Sequence, residues 1–161
     1  LDNPVVGGYT PEKVALRRAI NLGYDVQQEI TLIRRGAMIV GQSQVPPLTS
    51  GYDPAFRSEM GEFDRARARA LLDTFGYLDR DGDGYREMPD GAPLTLEIAC
   101  ETSALDRAFN EMWKRMMDPL GIRVEFRPAQ WPENLKNARA GRLMMWVLGN
   151  TASSPDVDAF L

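Results

Sequence analysis

The sequence has 161 residues, 43% apolar and 26% charged, an ordinary globular mixture for one domain with a buried core. Its formal charge is −4 with acids and arginines interspersed, so it lacks the basic stripe that neutralises phosphates, which argues against nucleic acid as a partner. No histidine is present, which removes histidine triads, histidine zinc sites and the commonest general base, and the longest apolar run, residues 143–148, is far shorter than the roughly 20 residues of a membrane-crossing helix.

Thr10-Pro11 reads as a helix opening, a cap followed by a residue with pre-set φ, and Leu16, Ala19, Ile20 and Gly23 follow at helical spacing to a first helix ending at about Leu22. Asp25 and Gln28 form a capping-box pattern ahead of Val26, Ile30 and Ile33, with Gly36 as the stop. Residues 37–54 hold a short apolar piece, Met38-Ile39-Val40, and then a loop rich in turn formers that reads as connector or binding wall. Asp64 caps a third helix through Phe75, with Ala66, Ala70 and Leu71 facing inward and Arg65, Arg67 and Arg69 solvating the rest.

Leu94, Leu96 and Ile98 alternate with Thr95 and Glu97, the period of a strand. Leu105, Ala108, Phe109, Met112 and Met116 make the most regular helical stripe, closed by Pro119 and Gly121. Ile122, Val124 and Phe126 mark a second half-buried strand, and Pro132 opens a helix through Leu135 and Ala138 to Gly141. Residues 143–148 are apolar on both faces, which predicts a central strand. Strand, helix, strand, helix, strand over residues 94–148 predicts parallel neighbours joined by right-handed crossovers. Such an α/β layer binds ligands beyond the carboxyl ends of its strands, here the segment after Leu148.

The sharpest local motif is Asp79-Arg80-Asp81-Gly82-Asp83-Gly84, which has the spacing of an EF-hand-like calcium loop. Asp79, Asp81 and Asp83 stand at alternate positions, the Tyr85 carbonyl and Glu87 are further donors, and Asp90 falls where an EF-hand has its bidentate Glu. The alternative is a polar β-turn linking Tyr77 to Leu94. A calcium ion there would brace a hairpin and catalyse nothing.

The lone Cys100 reads as a small buried hydrophobe, since no histidine stands by to activate it. Asp156 and Asp158 read as loop or cap residues rather than a catalytic pair. Most of Met112, Met116, Met117, Met144 and Met145 belongs to the core, as do Trp113 and Trp131, whereas Trp146 is balanced between core and an aromatic ligand wall.

The order of these features resembles family 5 extracellular solute-binding proteins, the peptide, dipeptide and nickel binders of ABC importers. Residues 11–30 (PEKVALRRAINLGYDVQQEI) resemble that family's helical segment. The run FDRARARALLDTFGYLDRDGDGYREMPDGAPLTLEI resembles its helix, Asp/Gly turn, Pro-Asp-Gly turn and strand. Leu120-Gly121-Ile122-Arg123-Val124-Glu125, Gln130-Trp131, Gly141-Arg142-Leu143 and Pro155-Asp156 follow in the family's order, covering nearly the whole chain.

The resemblance implies an α/β fold, one lobe of a two-lobed periplasmic-binding-protein-like architecture with a mixed sheet and flanking helices. Residues 1–161 form a single distal lobe, an excised fragment with a helical pair and loop over 1–60 and an α/β core over 61–161. It implies no enzymatic activity. A peptide or peptide-like small solute is captured between this lobe and the other lobe of the same chain and passed to ABC permease subunits in the membrane. The location implied is periplasmic, or extracellular on a membrane-anchored lipoprotein. No cofactor is required beyond the candidate structural calcium, and a calcium-stabilised interaction module is the alternative function. Trp146, Gly149, Asn150 and Thr151 are the expected ligand-binding residues, with the 42–47 loop as a second wall. Peptide binders of the family carry an aspartate after the last strand. Here no carboxylate stands between that strand and Pro155, and Asn150 offers a neutral amide instead.

Overall fold

The computed structural model describes residues 3–147 and 149. Pro11, with its fixed φ, begins helix α1 (Pro11–Gly23), and the Asp25 side chain accepts from Gln28 N at 2.9 Å to begin α2 (Val26–Leu32). The side-chain oxygen of Gln28, Oε1, is buried without a partner among the described residues, so the reciprocal half of the capping box is not made. Residues 37–58 run as turns and bends to a short 3-10 turn at Glu59–Gly61.

Asp64 Oδ1 accepts from Arg67 N at 2.9 Å and starts α3 (Arg65–Thr74) as expected, but the buried face is Ala68 and Leu72. Ala66 and Ala70 are exposed. The alternating Ala-Arg sequence offers several small-residue faces, and contact with α1 selects among them.

The sheet is built from β1 (Thr95–Cys100), β2 (Arg123–Pro128) and β3 (Met145–Trp146), in the order β2-β1-β3. Both pairings are parallel, Thr95 opposite Arg123 on one side of β1 and Ile98 opposite Met145 on the other. Helices α4 (Ala104–Met117) and α5 (Trp131–Arg139) make the crossovers. A mixed sheet is therefore not seen among the described strands, where the antiparallel contribution is one isolated bridge, Glu87 to Pro93. The expected central strand also moves: β3 is two residues long and lies at the edge of the described sheet, while β1 is central and has both faces packed, from Leu94 through Cys100.

One core runs through the described chain. Leu16, Ala19 and Leu22 of α1 join Ala68 and Leu72 of α3, Leu96 and Ile98 of β1, Met112, Met116 and Met117 of α4, and Ile122 and Val124 at β2. The first sixty residues thus share their core with the α/β part. Gly23 sets how closely α1 approaches the turn after α4, since a Cβ there would stand 2.3 Å from Leu120 Cδ1. Tyr77 is fully buried and donates to the Glu12 carbonyl at 3.0 Å, and burial, helped by the Glu12 charge, pushes its phenol up to about 12. At the far end Asn134, 1% exposed, donates to the carbonyls of Cys100 at 3.1 Å and Ala129 at 3.4 Å, tying α5 to the carboxyl end of β1.

Candidate functional site

The carboxyl ends of β1 and β3 lie side by side because the strands are parallel and in register at Ala99 and Trp146. Just beyond them is a cavity of about 90 Å³ lined by Ile98 to Glu101 of β1 and its outgoing turn, by Asp106, Phe109, Asn110 and Trp113 of α4, and by Trp146 and Val147. Trp146, within the apolar run, lines this cavity together with Trp113 and Phe109. Gly149 is described as exposed loop next to this end of the sheet. Asn150 and Thr151, along with Asp156 and Asp158, lie outside the described residues.

The lining is mixed in polarity. The Cys100 thiol accepts from Asn110 Nδ2 at 3.4 Å and is buried, as its apolar setting predicts. Asp106 caps α4 together with Ser103: Ser103 Oγ accepts from Asp106 N at 3.0 Å and donates to Asp106 Oδ2. Glu101 is half-buried, and among the described residues its carboxylate has no hydrogen-bond or ion-pair partner. Sequence reasoning missed Glu101, Asp106 and Asn110. The rule that pointed to the segment after β3 applies equally to the segment after β1, where Glu101 is the first residue.

Trp113 also borders a larger groove of about 420 Å³, lined by Val6, Arg17, Ile20, Asn21, Tyr24, Val26, Met144 and Met145. The Tyr24 and Trp113 rings meet at 4.6 Å between centroids, and Tyr24 donates to Glu29 Oε2 at 2.7 Å. Burial first, and that hydrogen bond second, push the Tyr24 phenol well above its ordinary value, so it remains a neutral donor. Arg17 is committed to the carbonyls of Val6 and Gly8, each at 2.8 Å. Trp131, expected in the core, is instead exposed at the first turn of α5, where Asn134 takes the buried position. The 42–47 loop forms a groove of its own, about 190 Å³, with residues 39–41, 52–54, 56 and 57, and shares no lining residue with the cavity at Trp146.

The Asp/Gly loop sits at the opposite, amino end of the sheet, where Arg123, the first residue of β2, holds Asp83 Oδ2 at 2.7 Å and stacks over Tyr85 at 4.5 Å. One oxygen each from Asp79, Asp81, Asp83 and Glu87 lie within 4.8 Å of one another, an all-oxygen set of the kind a hard divalent cation takes. Asp90 is not in that group. The chain doubles back at the Glu87 to Pro93 bridge, which leaves Asp90 at the hairpin tip accepting from Ala92 N at 3.0 Å, and Glu87 takes the last place instead. Backbone donors already serve the cluster: Asp79 accepts from Gly82 N at 2.7 Å and Gly84 N at 3.0 Å, Asp81 from Asp83 N at 3.1 Å, and Asp83 from Tyr85 N at 2.7 Å. Gly82 and Gly84 allow this winding through φ of 82° and 91°.

Comparison with known proteins gives a consistent picture. Residues 9–161 match the model for the middle region of the bacterial extracellular solute-binding proteins, family 5. Di/tripeptide-binding protein 1 of Pseudomonas aeruginosa is 24% identical over 150 residues, 93% of this chain and 26% of that protein. Di/tripeptide-binding protein 2 of the same organism is 26% identical over 148 residues, 91% of this chain and 25% of the relative. The chain thus spans about a quarter of the length of the curated relatives it matches.

Among solved structures, NikA from Brucella suis in complex with Fe(III)-EDTA superposes with a TM-score of 0.78 at 24% identity, over 91% of this chain and 29% of that one. A periplasmic oligopeptide-binding protein from Thermotoga maritima superposes with a TM-score of 0.77 at 19% identity, over 97% and 30% respectively. These neighbours share the fold, an α/β lobe of two-lobed periplasmic binding proteins, and the family's members are transport-associated binding proteins rather than enzymes. The chain belongs to the bacterial extracellular solute-binding proteins of family 5.

Proposed function

We propose that this chain is the ligand-facing distal lobe of the solute-binding component of an ABC importer, which closes with a second lobe on a peptide-like or other small solute outside the cytoplasmic membrane and hands it to the permease. The observation that carries this reading is the aromatic and polar cavity beyond the carboxyl ends of β1 and β3, the place where parallel α/β sheets bind ligands. In this reading Trp146 covers an apolar part of the solute, and Gly149, Asn150 and Thr151 present backbone and amide groups to orient it. The di/tripeptide-binding names of the relatives support the solute class, and the sequence after Trp146, without a carboxylate before Pro155, favours a solute held by other groups than an aspartate of that loop. One lobe supplies half of the contacts, so the reading concerns the full-length protein.

Native mass spectrometry of the full-length protein after gentle purification is expected to show a retained small solute. Trp146→Ala should lower the occupied fraction at least tenfold with an unchanged melting temperature. Full retention by the variant, or no bound mass in the parent, contradicts the proposal.

A second reading, a calcium-braced hairpin, is favoured by the convergence of Asp79, Asp81, Asp83 and Glu87. The ion would sit at the amino end of the sheet, away from the proposed solute site, and would stiffen the link between the hairpin and β2. The two readings are compatible, since the first concerns the sheet's carboxyl end.

A further inference from the structure

We infer that residues 43–57 form an Ω-loop whose apolar tip, Pro46-Pro47-Leu48, docks on the companion lobe of the same polypeptide when the two lobes close. The inference rests on the reading above for the existence of that lobe, and assigns the surface that meets it.

The neck of the loop holds it in place. Gln42 Oε1 accepts from Ser58 N at 3.0 Å, and Ser58 Oγ donates to the Gln42 carbonyl, so the two ends of the loop meet. Gly61 makes room for that amide, since a Cβ there would stand 2.0 Å from Gln42 Nε2. Next to the neck, Glu59 accepts from Arg18 at 2.7 Å and from Arg67 at 2.6 Å, and Asn21 donates to its carbonyl at 2.9 Å. The base of the loop is thereby fixed to α1 and α3.

At the tip, Leu48 is 96% exposed and has a φ of 68°. That left-handed conformation disfavours a bulky side chain and is easier for Asn or Gly. Thr49 fixes the turn, its N–H and Oγ1 donating to the Pro46 carbonyl at 3.4 and 2.6 Å, and Tyr52 N donates to the Thr49 carbonyl at 3.2 Å. Folding of this lobe gains nothing from an apolar chain held there, whereas a partner that buries it does. Ile39, Tyr52 and Phe56, all exposed, line the loop's groove beside Pro46 and Pro47 and widen the apolar surface. The loop's one acid and one base are turned onto its own backbone: Asp53 accepts from Ala55 N at 2.8 Å, and Arg57 donates to the carbonyls of Pro54 and Phe56, each at 2.8 Å. An apolar, aromatic-flanked projection on a fixed base has the make-up of a docking anchor.

The companion lobe is the partner that fits. The chain spans about a quarter of the length of its curated relatives, and its structural neighbours are two-lobed, so a second lobe is tethered within reach. The loop also departs from the side that such a lobe would approach. Arg34, shortly before the loop, stacks over Phe109 at 4.5 Å, and Phe109 lines the cavity beyond β1 and β3. Because the loop's groove shares no lining residue with that cavity, the loop acts on closure and not on the solute.

Photo-crosslinking of the full-length protein carrying Leu48→p-benzoyl-L-phenylalanine, read by peptide mass spectrometry, tests this contact. Crosslinks are expected to residues of the same polypeptide outside 1–161, in a yield independent of protein concentration. With the crosslinker placed instead by Tyr52→p-benzoyl-L-phenylalanine, Leu48→Asn should cut that yield at least threefold and Leu48→Met should preserve it. Neither should lower the melting temperature, since the side chain is exposed and Asn suits the backbone angle. Crosslinks confined to residues 1–161, crosslinks between two molecules, crosslinks only to the permease in proteoliposomes, or none at all overturn the inference, as does a yield that Leu48→Asn leaves unchanged. Interlobe crosslinks in a protein that retains no solute mass keep the docking loop and reject the solute-binding reading, and a retained solute without those crosslinks does the reverse.

Discussion

Arg86 is the side chain that joins the Asp/Gly hairpin to the body of the lobe. Its guanidinium, 14% exposed, donates to the Leu120 carbonyl and Asp73 Oδ1 at 2.7 and 2.6 Å and also to the Tyr77 carbonyl, while its own backbone N–H reaches Gly121 O at 2.7 Å. Removing the guanidinium would strand two carbonyls in a part-buried place, so Arg86→Ala should cost about 2–3 kcal/mol in urea unfolding. Arg86→Lys should recover less than half of that, because an ammonium does not reproduce the planar fork. A loss below about 0.5 kcal/mol, the range of ordinary surface substitutions, would remove Arg86 from this role.

At this scale the sequence was legible where one residue does one local job. The caps at Asp25 and Asp64 and the buried Cys100 all follow from their immediate neighbours. Glu101 and Asn134 did not, because a carboxylate facing a cavity and a buried amide between two carbonyls are defined by distant segments meeting.

Periodicity located the five α-helices and three strands of the described residues, since stripes at 3.6 and alternation at 2 survive in any tertiary setting. It did not give the order of the strands. Residues 143–148 are apolar on both faces, yet among the described ones only Met145 and Trp146 pair, at the edge of the described sheet: the second crossover carries the chain past β1 to its free side. The phase of α3 held at Leu71, which packs against the core, and failed at Ala66 and Ala70, because alternating alanines leave the choice of inward face to α1.

The hairpin of residues 77–94 makes its own prediction at this scale. Four carboxylates converge there, so millimolar calcium should raise the melting temperature by several degrees, EGTA should reverse the rise, and Asp81→Asn should abolish it. If calcium gives neither heat in titration nor a thermal shift, the backbone donors and Arg123 suffice to hold the carboxylates and the hairpin is a polar turn.

For the whole molecule, the arrangement separates two ends of one small parallel sheet. At the amino end, Arg123, Asp83 and the Asp/Gly loop brace the strands, and at the carboxyl end the strands open onto a cavity lined by aromatic rings and by Glu101, whose carboxylate has no partner among the described residues. A single core from α1 to β2 holds the two ends in fixed relation. The most direct test of solute capture at the carboxyl end is hydrogen–deuterium exchange on the full-length protein with its co-purified solute retained and after its removal by partial unfolding and refolding. Slower exchange with solute is predicted for residues 98–103 and 144–151, with residues 79–90 unchanged. Protection confined to the Asp/Gly hairpin or the 39–57 loop, with the ends of β1 and β3 unaffected, would contradict it.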